Sequence, residues 1–566
     1  IIAFILGFCM AMWIYLPALN YAPYSIRGAG NAGGAGFEYA TAWSFSFSEI
    51  STFFVPSYFG FGGPTYWGSM PFTDYPNYMG IVVLFLAIFG SVFGDNRIKW
   101  YFISVGLLAL FISFGKNFFL YGLFYDYFPY FNKFRVPAML LVLTQFSTAI
   151  LAAMGLDAIR KEKYKNSKEK YSFKSLQGFK EFIYLIAIFM IVIIGLKLYI
   201  DMFVIGTQNG FGTRSHPLLN QLRIEMINYD LIKSILFLLI VFIGYYLYKI
   251  GKVKYSILAI TYTALSIIDM SIVDKEIINP NKQSYRGSTL INTSMLNDYL
   301  YEDEVISYLQ KDSTYYRVLP LGVLGNENRW SAFHIESIAG YHPAKLNNYN
   351  RIKDEIGWSN IGLLRMLNVK YLISKEELNH PAFKKEFSGK LYQNGNYQLV
   401  SIYRFNYFLP RIFFPKNIEV VEKEDDQIKF LKRFDFDLVS TSIINKKINA
   451  IEYDSESKAE ISYWSPDKIE IKAEVAKPQL LVLSEIYYPE GWVITSHPEL
   501  EIYSINSILR GIIIPPGNQN IIMEFKPFDI KQGSVITLST LVIILVLILG
   551  SCFYKYKNNE SYADTI

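Results

Sequence analysis

The stretch Tyr66-Trp67-Gly68-Ser69-Met70-Pro71-Phe72-Thr73-Asp74-Tyr75-Pro76-Asn77-Tyr78 gathers the residue types that a sugar site needs. Aromatic faces stack on the C–H faces of a pyranose, while carboxylate and amide groups fix its hydroxyls. Tyr66, Trp67, Thr73, Asn77 and Tyr78 are the candidate contacts, and Asp74 is the candidate base toward a hydroxyl. The plainer alternative is an aromatic belt at a membrane surface, with Asp74 capping a helix that starts near Pro76. A second group precedes Pro137, which suits the first turn of a helix: Phe131-Asn132-Lys133-Phe134-Arg135-Val136. Lys133 and Arg135 fit either snorkelling toward headgroups or a phosphate held near the free N–H groups of a helix start. A third group comprises His334, Glu336, Tyr341, His342 and Lys345.

Other chemistries lack their residues. There is no Walker motif, no HExxH, no GxSxG and no CxxC, which argues against an ATPase, a zincin, an α/β-hydrolase and a thiol oxidoreductase. Two histidines eight positions apart, His334 and His342, are weak grounds for a metal site, so none is expected. No cofactor is called for, and a divalent cation stays open. Gly28, Gly30 and Gly33 match GxGxxG, but no strand precedes them and no helix pattern follows, so the run reads as a mobile turn. Cys9 and Cys552 both lie in apolar runs and cannot staple an exported domain.

The elements that must position these groups are membrane helices. The 566-residue chain is 52% hydrophobic, 17% aromatic and 18% charged, too apolar for an average soluble protein. Eight apolar stretches fall at roughly 1–19, 79–94, 99–115, 137–156, 181–200, 231–250, 255–273 and 533–553. The connection 157–180 carries eight basic residues against three acidic ones, and the turns 95–99 and 249–254 and the tail 555–557 are basic too. In order along the chain, all four fall on one side, which the positive-inside rule makes the cytoplasm. The net charge of +5 therefore reflects topology and not nucleic-acid binding. The outward loop 20–78 holds four charged residues and seventeen aromatic ones, the mark of a segment lying at the outer leaflet. Few ionisable groups fall inside the spans; Asp269 lies deepest and Lys197 near an end, which weakens an ion-transport reading. The chain opens at Ile1 inside an apolar stretch without a charged n-region, as a fragment missing its upstream part would.

Before the last span lies a block of about 260 residues that faces outward. Residues 274–400 mix helix and strand signals, with strands expected at Tyr316–Pro320 and Leu367–Ile373 and a polar-faced helix at Lys345–Glu355. Residues 401–532 are strand-rich; Lys468-Ile469-Glu470-Ile471-Lys472-Ala473-Glu474-Val475 alternates as a half-buried strand does, which predicts a β-sandwich or jelly roll. The expected organisation is a membrane domain of seven spans (1–273), an α/β region (274–400), a β-sandwich-like domain (401–532) and a last span with a cytoplasmic tail (533–566).

Several short motifs recur in a recognisable order. They are Tyr15-Leu16-Pro17-Ala18-Leu19, Tyr39-Ala40-Thr41-Ala42-Trp43-Ser44, Tyr66-Trp67-Gly68 with Pro71-Phe72-Thr73, Phe131 to Pro137, and Tyr341-His342-Pro343-Ala344-Lys345-Leu346. Tyr487-Tyr488-Pro489-Glu490-Gly491-Trp492, Leu509-Arg510-Gly511 and Pro515-Pro516-Gly517 complete the set. Along its whole length the chain resembles the bacterial YfhO family of membrane proteins, itself similar to the C-type (GT-C) glycosyltransferases. The resemblance implies a multi-pass protein of the bacterial plasma membrane. It would take a sugar from a polyprenyl-phosphate carrier at the outer leaflet and glycosylate an envelope polysaccharide acceptor such as a teichoic acid. The lipid bilayer and these two substrates are the implied partners. Lys133 and Arg135 would hold the lipid phosphate; Asp74 would assist attack; Tyr66, Trp67, Thr73, Asn77, Tyr78, His334, Tyr341, His342 and Lys345 would contact substrate. C-type enzymes carry their principal carboxylate in the first outward loop near the N-terminus, which is expected upstream of Ile1 here. A non-catalytic glycan-binding or export protein, and a transporter, are the alternatives.

Overall fold

The computed structural model describes residues 2–28, 36–94, 97–167, 177–205, 210–279, 293–393, 395–433 and 440–563. Gly30 and Gly33 of the GxGxxG run, much of the basic connection 157–180, Asp95 and Asn96 of the turn 95–99, and the start of the block at 274 lie in part outside them; of the tail lysines the backbone alone is described. The chain forms two compact units, Ile1–Gly33 with Asn292–Ile566, and Gly34–Ile291.

Among the described residues five helices are long and apolar enough to cross a membrane: Pro137–Arg160, Phe179–Ile205, Pro217–Lys249, Tyr255–Ile278 and Phe528–Tyr554. Ile2–Met10 and Met12–Tyr24 make a sixth if their pair, bent by 71°, is one span. Ile81–Phe93 and Ile98–Ser113 are apolar but shorter, where the sequence suggests two further spans. The protein is thus a multi-pass membrane protein with a large β-rich region.

In the unit Gly34–Ile291 small residues set the helix spacing. A Cβ on Gly90 would stand 2.2 Å from Leu151 O, and one on Gly155 2.0 Å from Leu86 O. Helices Ile81–Phe93 and Leu141–Ser167 therefore touch backbone to backbone, a packing mode that membrane helices favour.

In the other unit the bend at Ala11 frees backbone groups that water cannot serve within a membrane. Thr537 of the last helix serves them: its Oγ1 accepts from Trp13 N at 3.1 Å and donates to Cys9 O at 3.5 Å. The β-rich region follows on the same unit. Its strands are β1 Arg317–Pro320, β2 Glu336–Ser337, β3 Val369–Ser374, β4 Phe383–Gln393, β5 Asn396–Phe405, β6 Ile412–Phe413, β7 Asn417–Val420, β8 Thr441–Ile444, β9 Lys458–Ser465, β10 Lys468–Val475, β11 Gln479–Ile486, β12 Trp492–Ile494, β13 Ile502–Ile505, β14 Leu509–Ile514 and β15 Gly517–Phe525. They build three sheets in the orders β2-β1-β3-β5-β4, β12-β15-β10-β9 and β6-β11-β14-β13-β8-β7.

Sequence pattern follows layer position. β10 alternates, and its Ile469, Ile471, Ala473 and Val475 point into one core with Leu481, Leu483, Ile512 and Ile514 of the neighbouring sheet. That makes a sandwich. β11 reads Leu480-Leu481-Val482-Leu483 without alternation because both its faces are covered. Leu480 and Val482 pack away from the sandwich, with Leu372, Tyr403 and Phe405 of the first sheet.

Candidate functional site

Each unit carries part of the candidate machinery. In the unit Gly34–Ile291, Pro137 opens a 3-10 turn, Pro137–Leu140, that runs into the helix Leu141–Ser167. Val136, just before it, has a φ of 64°, a conformation that costs a β-branched residue roughly 1–3 kcal/mol. Its N–H is held by Ala40 O at 3.0 Å. Beside this strained position Arg135 stacks over Tyr39 and Trp43, at 4.3 and 4.9 Å from the ring centroids, and donates Nη1 to Tyr39 OH at 2.5 Å. Its Nε is buried and has no acceptor among the described residues. Lys133 ends a 3-10 turn, Phe131–Lys133, and its ammonium makes no ion pair among the described residues.

Trp43 links this group to the aromatic loop. Its Nε1 donates to Phe72 O at 3.1 Å and its ring packs edge-on against Phe72. Asp74, two residues on, is exposed. It does not cap a helix. The next helix, Ile81–Phe93, takes its cap from elsewhere: Ile81 N donates to Asp269 Oδ2 at 2.8 Å and to Tyr78 OH at 2.9 Å.

Three candidate contacts of the loop face inward. Tyr66 is buried; its OH donates to the Glu49 carboxylate and accepts from Met70 N at 2.9 Å. Burial first, and then the Glu49 charge, push this phenol well above its usual range, so it stays a donor. Trp67 donates to Tyr58 O at 3.1 Å and packs on Phe59 and Phe211. Tyr78 donates to both Asp269 oxygens, at 3.0 and 2.8 Å. Thr73 bonds Tyr75 O at 2.9 Å, and Asn77 is half-buried.

The structure adds Lys233 as a partner for Asp269, with Asp230 on the same ammonium, and a buried Arg223. Lys233 Nζ lies 3.4 Å from Asp230 Oδ1 and 3.2 Å from Asp269 Oδ1, all three side chains buried. Asp230 also accepts from Ser57 N at 2.9 Å. The cluster ties both ends of the loop 57–78 to helices Pro217–Lys249 and Tyr255–Ile278. Arg223, fully buried, donates to the carbonyls of Thr65, Arg214 and Pro64 and to Asn220 Oδ1. The one available signal was Asp269, an acid deep in an apolar run, which requires a partner on another helix.

The unit Ile1–Gly33 with Asn292–Ile566 holds a cleft of about 990 Å³, the size range of a ligand site. His334, Tyr341, His342 and Lys345 all line it, with Tyr21, Trp330, Trp358 and Trp464 as further aromatic walls and Arg317 and Glu336 deeper in. Tyr341 is 63% exposed, yet rigidly presented. Asn328 accepts from Tyr341 N and donates to Tyr341 O, both at 2.9 Å. The Gly340 φ of 127°, and the 2.8 Å approach its Cβ would make to Asn328 Oδ1, leave room for glycine alone in that turn. The rim is stitched to the segment leaving the second helix: Tyr21 OH to Ala344 O at 2.6 Å, Ile26 N to Lys345 O at 3.0 Å, and Arg27 Nε to Pro343 O at 3.2 Å.

Behind the cleft sits a charge network. Glu336 Oε2 accepts from Arg317 at 3.0 Å and Arg411 at 2.6 Å, and Glu485 Oε1 accepts from Arg411 at 2.8 Å and Trp464 Nε1 at 3.0 Å. Burial raises the Glu485 carboxyl, but Arg411, Arg317 and Arg510 together hold it below its usual range. Arg510 stacks 3.9 Å over Trp492, and burial lowers its guanidinium to about 10, still charged at neutral pH. Three cations face two carboxylates in this network, of which Arg317 and Glu336 line the cleft.

Among the described residues no group of three or more His, Cys, Asp or Glu converges as a metal site would. No family model, no curated protein and no solved structure matches this chain.

Proposed function

We propose that this is a glycan-handling protein of the bacterial cytoplasmic membrane, of the glycosyltransferase kind, that moves a sugar from a polyprenyl-phosphate carrier to an envelope glycopolymer. The observation that carries the reading is the cleft of about 990 Å³, walled by Tyr341, Trp358 and Trp464 and furnished with His334, His342, Lys345 and Glu336. Aromatic planes beside convergent hydrogen-bonding groups are what a saccharide chain selects. Arg135 supports the donor half. Its planar fork, stacked on Tyr39 and Trp43 near a helix start, suits a phosphate. Asp74, exposed near Phe72, supplies the carboxylate for attack of an acceptor hydroxyl on the anomeric carbon, with the lipid phosphate leaving and the anomeric configuration inverted. The order of motifs that resembles the YfhO family points the same way. The lysine pattern supports an eight-span orientation with 157–180 inside and the β-rich region outside.

Glycan binding without transfer is the second reading. It is favoured by Glu336, a carboxylate of the cleft, being tied to Arg317 and Arg411 and so unsuited to proton transfer. Purified protein in bilayer discs, given labelled polyprenyl-phosphate sugar and envelope extract, separates the two. Label moving into polymer supports transfer; label staying on lipid while polymer binds supports the second reading.

A further inference from the structure

The same unit holds a second cavity, of about 630 Å³, which shares no lining residue with the cleft. It lies beside β4, the edge strand of the first sheet. An open edge invites pairing with other chains, and here carboxylates cover it. Asp303 accepts from Tyr392 N at 3.0 Å and Glu304 from Lys390 N at 2.8 Å. Asp303 also caps the helix Glu304–Leu309 through Val305 N and Ile306 N. Arg329, 4% exposed, completes the arrangement: Nη1 to Asp303 Oδ2 at 2.6 Å, Nε to Tyr299 O at 2.7 Å and Nη2 to Tyr301 O at 2.7 Å. The backbone from Tyr299 to Glu304 is therefore fixed by buried bonds.

That fixed backbone displays Tyr301, 68% exposed, and β5 adds Tyr397, 47% exposed, to the same cavity. Tyr308 and Phe387, stacked at 4.5 Å, line it too. The ammonium groups of Lys311 and Lys390 enter no ion pair among the described residues. Fold stability accounts for Arg329 and Asp303, and in part for Tyr397, which packs edge-on against Tyr392 at 5.3 Å, but not for the exposed faces of two tyrosine rings around one cavity. Tyrosine is rigid and amphipathic, so it binds at little entropic cost. Rings for stacking, with amines and a carboxylate for hydroxyls, are saccharide chemistry.

We propose that this cavity binds a saccharide segment and acts as a second, non-catalytic subsite, holding a long glycopolymer while another part of it occupies the cleft. The inference rests on the reading that the protein handles an envelope glycan. Two sites on one compact unit raise the local concentration of chain at each, so long fragments should bind more tightly than short ones.

The test uses the full chain in bilayer discs and size-fractionated envelope polysaccharide, with affinity read by interferometry. The double variant Tyr301→Ala/Tyr397→Ala alters exposed rings and should keep the melting temperature. It should weaken long fractions about tenfold and leave the shortest fractions unchanged. Tyr301→Phe/Tyr397→Phe, which keeps both rings, should retain most of the long-fraction affinity. If the alanine pair binds every fraction as the parent does while Tyr341→Ala abolishes binding, the subsite is refuted and the cleft reading survives. If the parent binds no fraction, both readings fall.

Discussion

Lys233 Nζ stands 3.2 Å from Asp269 Oδ1, and the other oxygen of that carboxylate accepts from Ile81 N at 2.8 Å, at the start of another helix. One acid thus neutralises a buried cation and caps a helix. Removing it leaves Lys233 with Asp230 alone and takes the carboxylate from Tyr78 OH and Ile81 N, and breaking a buried ion-pair network costs about 3–5 kcal/mol. Asp269→Ala should lower the melting temperature in detergent sharply, and Asp269→Asn less, because the amide oxygen still accepts from Ile81. An unchanged melting temperature for Asp269→Ala would remove the cluster from the stability argument.

Trp492 covers Arg510 at 3.9 Å and packs 5.5 Å from Phe525 on β15. Trp492→Ala removes the ring that covers the Arg510 guanidinium and deletes a large aromatic from the sandwich edge. The expected loss is about 3 kcal/mol, read as a lower chemical-denaturation midpoint. Stability that stays put while glycan binding disappears would make Trp492 a sugar platform instead.

Burial raises the Asp312 carboxyl, but bonds from Lys370 at 2.5 Å, Thr314 Oγ1 at 2.7 Å and Tyr371 at 2.9 Å outweigh it and hold its pKa at about 2. The folded value lies below the ordinary 3.8, so the pair stabilises above pH 4 and that contribution is lost as pH falls toward 2. Asp312→Asn should flatten the stability curve of this unit over that window and leave its slope near neutrality alone. A parent curve already flat there would refute the assignment.

The membrane character and the strand-rich block were legible because each rests on local pattern: apolar runs, sorted lysines, and the alternation at Lys468–Val475. Tyr341, His342 and Lys345 could be singled out because polar and aromatic groups crowd one short segment. What could not be read was pairing across distance. Glu485 and Arg411 are 74 positions apart, and nothing local to either marks a bond between them. The inward turn of Tyr66, Trp67 and Tyr78 was hidden for the same reason. Glu49 and Asp269, which claim two of them, lie elsewhere in the chain. The attachment of helices 2–21 to the last helix is likewise a matter of Thr537, whose role needs the bend at Ala11 to be seen.

The lysine-sorted topology predicts opposite compartments for Ser167, at the end of the helix Leu141–Ser167, and Asp454, ahead of β9. Phosphatase and fluorescent-protein fusions at the two positions should report opposite sides. Equal signals would overturn the orientation and, with it, outer-leaflet chemistry.

Arg135 and Asp74 offer the sharpest test of the transfer reading. The guanidinium lies over Tyr39 and Trp43, and Trp43 holds Phe72, two residues before Asp74. Arg135→Ala removes a charge-assisted phosphate contact and should reduce donor use roughly 10- to 100-fold. Arg135→Lys keeps the charge but not the planar fork that both stacks and bonds Tyr39, so it should rescue only partly. Asp74→Asn should lower turnover without moving the melting temperature, since the carboxylate is exposed and makes no ion pair among the described residues. If Asp74→Asn turns over at the parental rate while Arg135→Ala fails, Arg135 belongs to donor binding. The base must then be a carboxylate other than Asp74.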